Sequence, residues 1–151
     1  MNPLKAQVAG LATRPAVRAA LEQQQVLQLD ASSGVQADHG QRQQRQVTLL
    51  SRQQWQETCQ QLDVELPWMT RRANILLDNL KFGPQFESAR ITIGEVTIQV
   101  HGQLVPCYRM DELFDGLQEA LVPDWRGGVH GEVIHGGQIQ IDDEVSITLD
   151  H

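Results

Sequence analysis

The stretch ARITIGEVTIQVHG (89–102) decides how the rest of the chain is read. Apolar and polar residues alternate on both sides of Gly94-Glu95. Ile91 and Ile93 stand on one arm, and Val96, Ile98 and Val100 on the other. A period of two places one face of each arm against a core, and a glycine-led pair between the arms is hairpin turn chemistry. Working outward, MDELFDGLQEAL (110–121) spaces Leu113, Phe114, Leu117, Ala120 and Leu121 at helical intervals behind Asp111 and Glu112, so a helix is expected there. GGVHGEVIHGGQIQIDDEVSITL (127–149) returns to alternation and predicts a β-meander with two glycine-rich turns.

Toward the N-terminus the signals are shorter. AQVAGLA (6–12) is a candidate first strand, PAVRAALEQQQ (15–25) a weak helix or a surface loop, and VLQLD (26–30) a half-buried strand. ASSGVQADHGQRQQ (31–44) has no period and is expected to be a loop. RQVTLLS (45–51) reads as a strand that hands over to a helix at Ser51, a good N-cap. Trp55, Cys59 and Leu62 then share one helical face, and Val64 to Pro67 ends it. Ile75–Leu77 fits a short strand or a helix. Many short strands with a few helices predict one mainly β domain over residues 1–151, a barrel or strongly curved sheet with helices outside it.

Composition sets limits on function. The 151 residues suffice for a single core, and the chain is 40% hydrophobic and 21% charged. A net charge of -7 argues against a nucleic-acid phosphate binder. Two cysteines make no disulfide framework, no apolar run approaches a membrane span, and MNPLKAQVAG lacks a signal-peptide core. A cytoplasmic, reducing setting is the expectation.

Within those limits a few residues stand out. Cys107, in LVPCYRM (104–110), follows the end of a strand and precedes a helix start, where a soft thiolate can ligate a metal or act as a nucleophile. The alternative is a small buried hydrophobe, and that is the reading for Cys59 on its helix face. Arg71, Arg72, Arg109 and Arg126 recur in loop-like places. If the fold brings them together they form an anion pocket, with Gly127 and Gly128 letting backbone N–H groups approach; otherwise they are separate solvated cations. Asp38 and His39 form either a hydrogen-bonding pair at a pocket edge or an ordinary turn. His101, His130 and His135 lack zinc-site spacing, and a cysteine-rich structural zinc is excluded.

Taken in chain order, four segments resemble the MOSC family, the domain named for the molybdenum cofactor sulfurase C-terminus. They are SGVQADHG leading into RQVTLLS, TRRANILLDNL, ITIGEVTIQVHGQLVPCYRM, and WRGGVHGEVIHGGQIQIDDEVSI. The resemblance spans residues 26–149 and implies a MOSC-like β-barrel that binds the molybdenum cofactor, molybdopterin, or carries sulfur for it. It implies Cys107 as the molybdenum ligand, Arg72, Asn74, Arg109, Arg126 and Gly127 around the cofactor, and Asp38 and His39 at the pocket rim. It also implies reduction of N-hydroxylated compounds. The chain has no ferredoxin-type cysteines, so a separate electron-transfer protein is the expected partner. Two other readings stay open: a carrier with a persulfide on Cys107, and a non-catalytic barrel that binds a ligand or partner. IDDEV (141–145) departs from the family pattern, with Asp142 where glycine is frequent.

Overall fold

The computed structural model describes residues 3–16, 19–39 and 45–150. In chain order the elements are β1 (Leu4–Thr13), β2 (Glu22–Gln24), β3 (Val26–Asp30), β4 (Gly34–Val35), β5 (Val47–Ser51), α1 (Arg52–Gln61), β6 (Ile75–Asp78), β7 (Arg90–Ile93), β8 (Val96–Gln103), α2 (Arg109–Leu113), α3 (Leu117–Ala120), β9 (Val129–His135), β10 (Gly137–Gln140) and β11 (Glu144–Thr148). Single 3-10 turns lie at Trp68–Arg71, Pro84–Phe86 and Pro123–Trp125.

Seven strands close into a barrel in the order β11-β7-β8-β9-β5-β6-β1, and β1 pairs back onto β11 with Leu4 opposite Ile147. β5 and β6 run parallel, and the other barrel pairings are antiparallel. Closure leaves no free edge among the ring strands except where β2 extends from β1. A smaller sheet, β10-β3-β4, lies beside the barrel. The hairpin of 89–102 is present as β7–β8: Ile93 faces Val96, and Gly94 takes φ 59, the left-handed geometry such turns need. Asp142 supplies the same backbone sign, at φ 76, ahead of β11.

Alternation divides the molecule into two apolar layers. Val47 and Leu49 of β5, with Ile75 and Leu77 of β6, point into the barrel with Val8, Ile91, Ile98, Val133 and Ile147. Leu50 and Leu76 point outward and pack with Trp55, Cys59, Met110, Leu117 and Leu121, which is how the helices are held against the wall. Burying each of these side chains is worth about 1.5–3 kcal/mol. Ser51 begins α1 as expected: its Oγ accepts from the Gln54 N–H at 3.2 Å and donates to the Leu80 carbonyl.

Two expectations are corrected. The single helix predicted over 110–121 is two short ones, because Phe114 is extended (φ -160, ψ 127) and Gly116 takes φ 88. Periodicity alone could not show this break, since the apolar spacing continues through it. Of the two readings of 15–25, the loop is the one observed in the described residues before β2, and the stretch then enters that strand, which was not expected. Ile75–Leu77 resolves as strand. The loop expected over 31–44 contains the short β4, and its residues 40–44 lie outside the described residues. No helix among the described residues is long and apolar enough to cross a membrane.

Candidate functional site: an arginine-lined cavity beside Cys107

A cavity of about 700 Å³ lies against the outward face of the β5–β6 wall. Thr48 and Asn74 line it there. Asn74 locks this wall together. Its Oδ1 accepts from Thr48 N at 3.1 Å and from Thr48 Oγ1 at 3.2 Å, and its Nδ2 donates to the Ala12 carbonyl at 3.2 Å. The side-chain amide expected to hold a cofactor is therefore committed to tying β1, β5 and β6 to one another.

The cavity borders on one side the segment that follows β8. Leu104 N donates to the Gly128 carbonyl at 2.8 Å, which fixes where the chain leaves the barrel. Gly128 has φ 93, and a Cβ there would lie 2.2 Å from the Leu49 carbonyl oxygen, so only glycine fits. Beyond Leu104 come Val105, Cys107, Tyr108, Arg109 and Met110, all lining the cavity. Cys107 is exposed, and Val105 and Tyr108 on either side of it are 67% and 65% exposed. Cys59, by contrast, is buried on α1 as its spacing predicts.

On another side lie Asp38 and His39. Asp38 Oδ1 accepts from the Arg14 N–H at 2.6 Å, His39 N donates to the Arg14 carbonyl at 2.7 Å, and Arg14 Nη2 donates to the His39 carbonyl at 2.9 Å. Both expected rim residues thus reach the cavity, held there by Arg14.

Five arginines line this one space: Arg14, Arg45, Arg71, Arg72 and Arg109. They are five of the chain's 12 lysines and arginines, in a chain with 19 acidic residues. None of the five makes an ion pair with a carboxylate among the described residues, whereas Lys5, Arg52 and Lys81 elsewhere on the surface all do. The arginines feel one another. Burial lowers the pKa of Arg72, and the positive charges of Arg14 and Arg109 lower it further. Arg71 is pushed down to about 10, mainly by burial, with Cys107 pulling it up and Arg45 pushing it down. Arg109, fully exposed, is raised by its hydrogen bond to Tyr108 and then by Tyr108 and Cys107 charge. The two cavity carboxylates, Asp38 and Glu112, leave the site strongly positive.

Of the residues singled out in the sequence, Asp38, His39, Arg72, Asn74, Cys107 and Arg109 converge here. Arg126 does not. Its Nη1 donates to Gln61 Oε1 at 2.7 Å and to the Ala120 carbonyl at 3.0 Å, so it braces α1 against the end of α3. Gly127 is not on the cavity surface either; its carbonyl accepts from Arg71 Nε at 3.0 Å, and a Cβ there would sit 2.5 Å from the Leu104 oxygen. Arg14 lies in no sequence motif, and Arg45 opens RQVTLLS without standing out there. Their one signal is position, just after β1 and just before β5. No cluster of three or more metal-binding side chains exists among the described residues, so any metal here needs donors from its own cofactor.

Comparison with solved structures finds this fold in the YuaD protein from Bacillus subtilis, at TM-score 0.86 and 17% identity over 99% of this chain and 98% of that one. YiiM from Escherichia coli matches at TM-score 0.72 and 15% identity, over 96% and 71%. YiiM from Geobacillus stearothermophilus matches at 0.68 and 11%, over 95% and 73%. No curated protein matches the sequence. A sequence profile for the MOSC domain matches residues 36–146, which contain β5 through β10 and nearly all the cavity lining, and the chain belongs to the MOSC domain family.

Proposed function

We propose that the cavity binds the molybdenum cofactor and that the protein is an oxidoreductase acting on N-hydroxylated compounds. The observation that carries this reading is the set of five arginines without ion-paired carboxylates among the described residues, around an exposed thiol. Unpaired guanidinium groups suit a phosphorylated, anionic ligand, and a cysteine thiolate is a soft donor suited to molybdenum. The cavity volume lies within the range of cofactor sites, and MOSC domains are associated with this cofactor in general. The donor set therefore fits the group.

Cys107 would be the protein ligand to the metal. Arg45, Arg71, Arg72 and Arg109 would neutralise the phosphate and orient the pterin, with Asp38 and His39 at the rim. Asn74 acts through the wall it locks. The bound cofactor would supply two-electron redox chemistry beside Cys107. Overall, an N–O bond breaks, two electrons arrive from a separate electron-transfer protein, two protons are taken up, and the amine and water leave. The side chains of Leu104, Val105, Met110 and Leu113 give that part of the cavity an apolar lining.

The exposure of Cys107 on the lip, flanked by exposed Val105 and Tyr108, favours one second reading, a sulfur carrier that receives and hands on a persulfide. One preparation separates the two. The protein is purified without oxygen from a host that makes the cofactor, beside Cys107→Ser. Near-stoichiometric molybdenum and pterin, with the metal lost in the variant, supports the oxidoreductase. Absence of both, with a sulfur adduct on Cys107 by mass spectrometry, supports the carrier and rejects the first reading.

A further inference from the structure

Arg71 differs from the other cavity arginines. It is only 6% exposed, yet it lines the cavity. Its Nη2 donates to the Leu104 carbonyl at 2.7 Å and its Nε to the Gly127 carbonyl at 3.0 Å, while Nη1 approaches Met110 Sδ at 3.7 Å. A guanidinium has five N–H donors, so two remain uncommitted. All three partners are neutral, and no carboxylate lies within ion-pair distance among the described residues. A buried cation held only by neutral groups carries a desolvation cost that an anion would offset.

The partners also have a pattern. Leu104 and Met110 stand three residues before and three after Cys107. Arg71 therefore grips both flanks of the segment that displays the thiol, and through Gly127 it grips the strand start beside it. Other contacts fix the ends of this segment: Leu104 N donates to the Gly128 carbonyl, Met110 N to the Cys107 carbonyl and Asp111 N to the Tyr108 carbonyl, and Met110 packs into the outer apolar layer. Around Cys107 itself the hold is looser, with a long bond from Gln118 Nε2 to the Pro106 carbonyl at 3.5 Å.

We infer that Arg71 is the inner anchor for a phosphoryl group or similar tetrahedral oxyanion, and that by holding Leu104 and Met110 it couples anion occupancy to the exposure of Cys107. This deepens the proposed function and rests on its reading of the cavity as an anion site, and it requires neither metal nor pterin. An anion on the free N–H groups tightens the guanidinium in place, which tightens its hold on the thiol segment. Arg71 is thus both a ligand-binding and a positioning residue.

The test uses the cofactor-free protein at low salt. Calorimetry measures binding of inorganic phosphate and of phenyl phosphate, and iodoacetamide labelling measures access to Cys107, Cys59 being buried. Wild type should bind phosphate, and phosphate should slow labelling severalfold. Arg71→Met should weaken binding by roughly tenfold or more, the loss expected for one charge-assisted contact. Arg71→Lys keeps the charge but cannot span two carbonyls, so it should retain part of the affinity and lose the phosphate-dependent protection. Tighter binding of phenyl phosphate assigns the anchor to an organic phosphate, and equal binding assigns it to the free ion. Phosphate affinity of Arg71→Met within twofold of wild type overturns the anchor. Unslowed labelling of wild type at saturating phosphate overturns the coupling. Should Arg71→Met fail to fold, wild-type affinity together with wild-type protection in Arg71→Lys overturns both. Because no cofactor is present, a protein that binds phosphate as described but never carries molybdenum would reject the proposed function and leave this inference standing.

Discussion

Cys107 and Cys59 occupy opposite environments, and substitution should separate them cleanly. Cys59 packs with Trp55 and Leu50 beneath α1, so Cys59→Ser buries a hydroxyl in an apolar layer and should cost about 1–2 kcal/mol in urea unfolding. Cys107→Ser removes an exposed thiol and should change stability by less than about 0.5 kcal/mol while abolishing metal or sulfur loading. Arg71 gives a pH prediction. Its pKa in the folded protein, about 10, is below the ordinary guanidinium value. The unfolded chain therefore binds its proton more tightly, and stability from this group rises with pH between the two values. Relative to Arg71→Met, the anion-free wild type should gain stability from pH 9 to pH 11. Cys107 interacts with Arg71, so the comparison is made in a Cys107→Ser background, where the titrating groups remote from Arg71 are common to both proteins and cancel. A flat difference would show that the charge is solvated after all.

At the scale of elements, the outer layer depends on a few polar joints. Ser51 both caps α1 and ties it to Leu80 ahead of the Pro84–Phe86 turn. Ser51→Ala should cost about 1–2 kcal/mol, more than an exposed cap, because the Leu80 carbonyl loses its donor. Asn74→Ala unties three strands at once, with a buried carbonyl left at Ala12, and should cost about 2–4 kcal/mol and enlarge the cavity wall's hydrogen exchange. These joints explain what could be read in advance. The β7–β8 hairpin and the α1 start are local patterns, fully expressed in neighbouring residues. Asn74 stood out because its sequence context resembles a family motif; it lines the cavity, and only its contacts with Thr48 and Ala12 reveal that it also fastens the wall. Arg126 resembled a ligand by the same kind of argument until Gln61 and Ala120, distant in sequence, claimed its guanidinium. The break at Phe114–Gly116 was hidden because helical spacing survives it.

The chain is acidic, and its described residues form a positive concavity, a contrast the sequence offered only on the condition that the fold bring its arginines together. Arg14, Arg45, Arg71 and Arg109 come from separate parts of the chain and meet only because β1, β5, β6 and the segment after β8 share one wall. The mainly β barrel was legible from alternation, whereas convergence needed closure. An anion filling this concavity should stabilise the entire fold. At a phosphate concentration 100 times its dissociation constant the gain is about 2.7 kcal/mol, readable as a rise in Tm. Raising salt from about 0.15 M to about 1 M shortens the screening length from ~8 Å to ~3 Å and should erase most of that rise. A phosphate-induced Tm shift indifferent to sodium chloride would point to general exclusion of the ion from the protein surface instead.

Pairing of Leu4 with Ile147 has a consequence for biosynthesis. Strand β1 must wait for β11, which is made about 130 residues later. Until a ribosome has delivered Glu144–Thr148, β1 and β7 each present an unpaired edge, and the long-range partners cannot lower the entropy cost already incurred. A nascent chain stalled after residue 143 should therefore remain open to protease and prone to association. Adding those few residues should convert it, in one cooperative step, into a resistant ring.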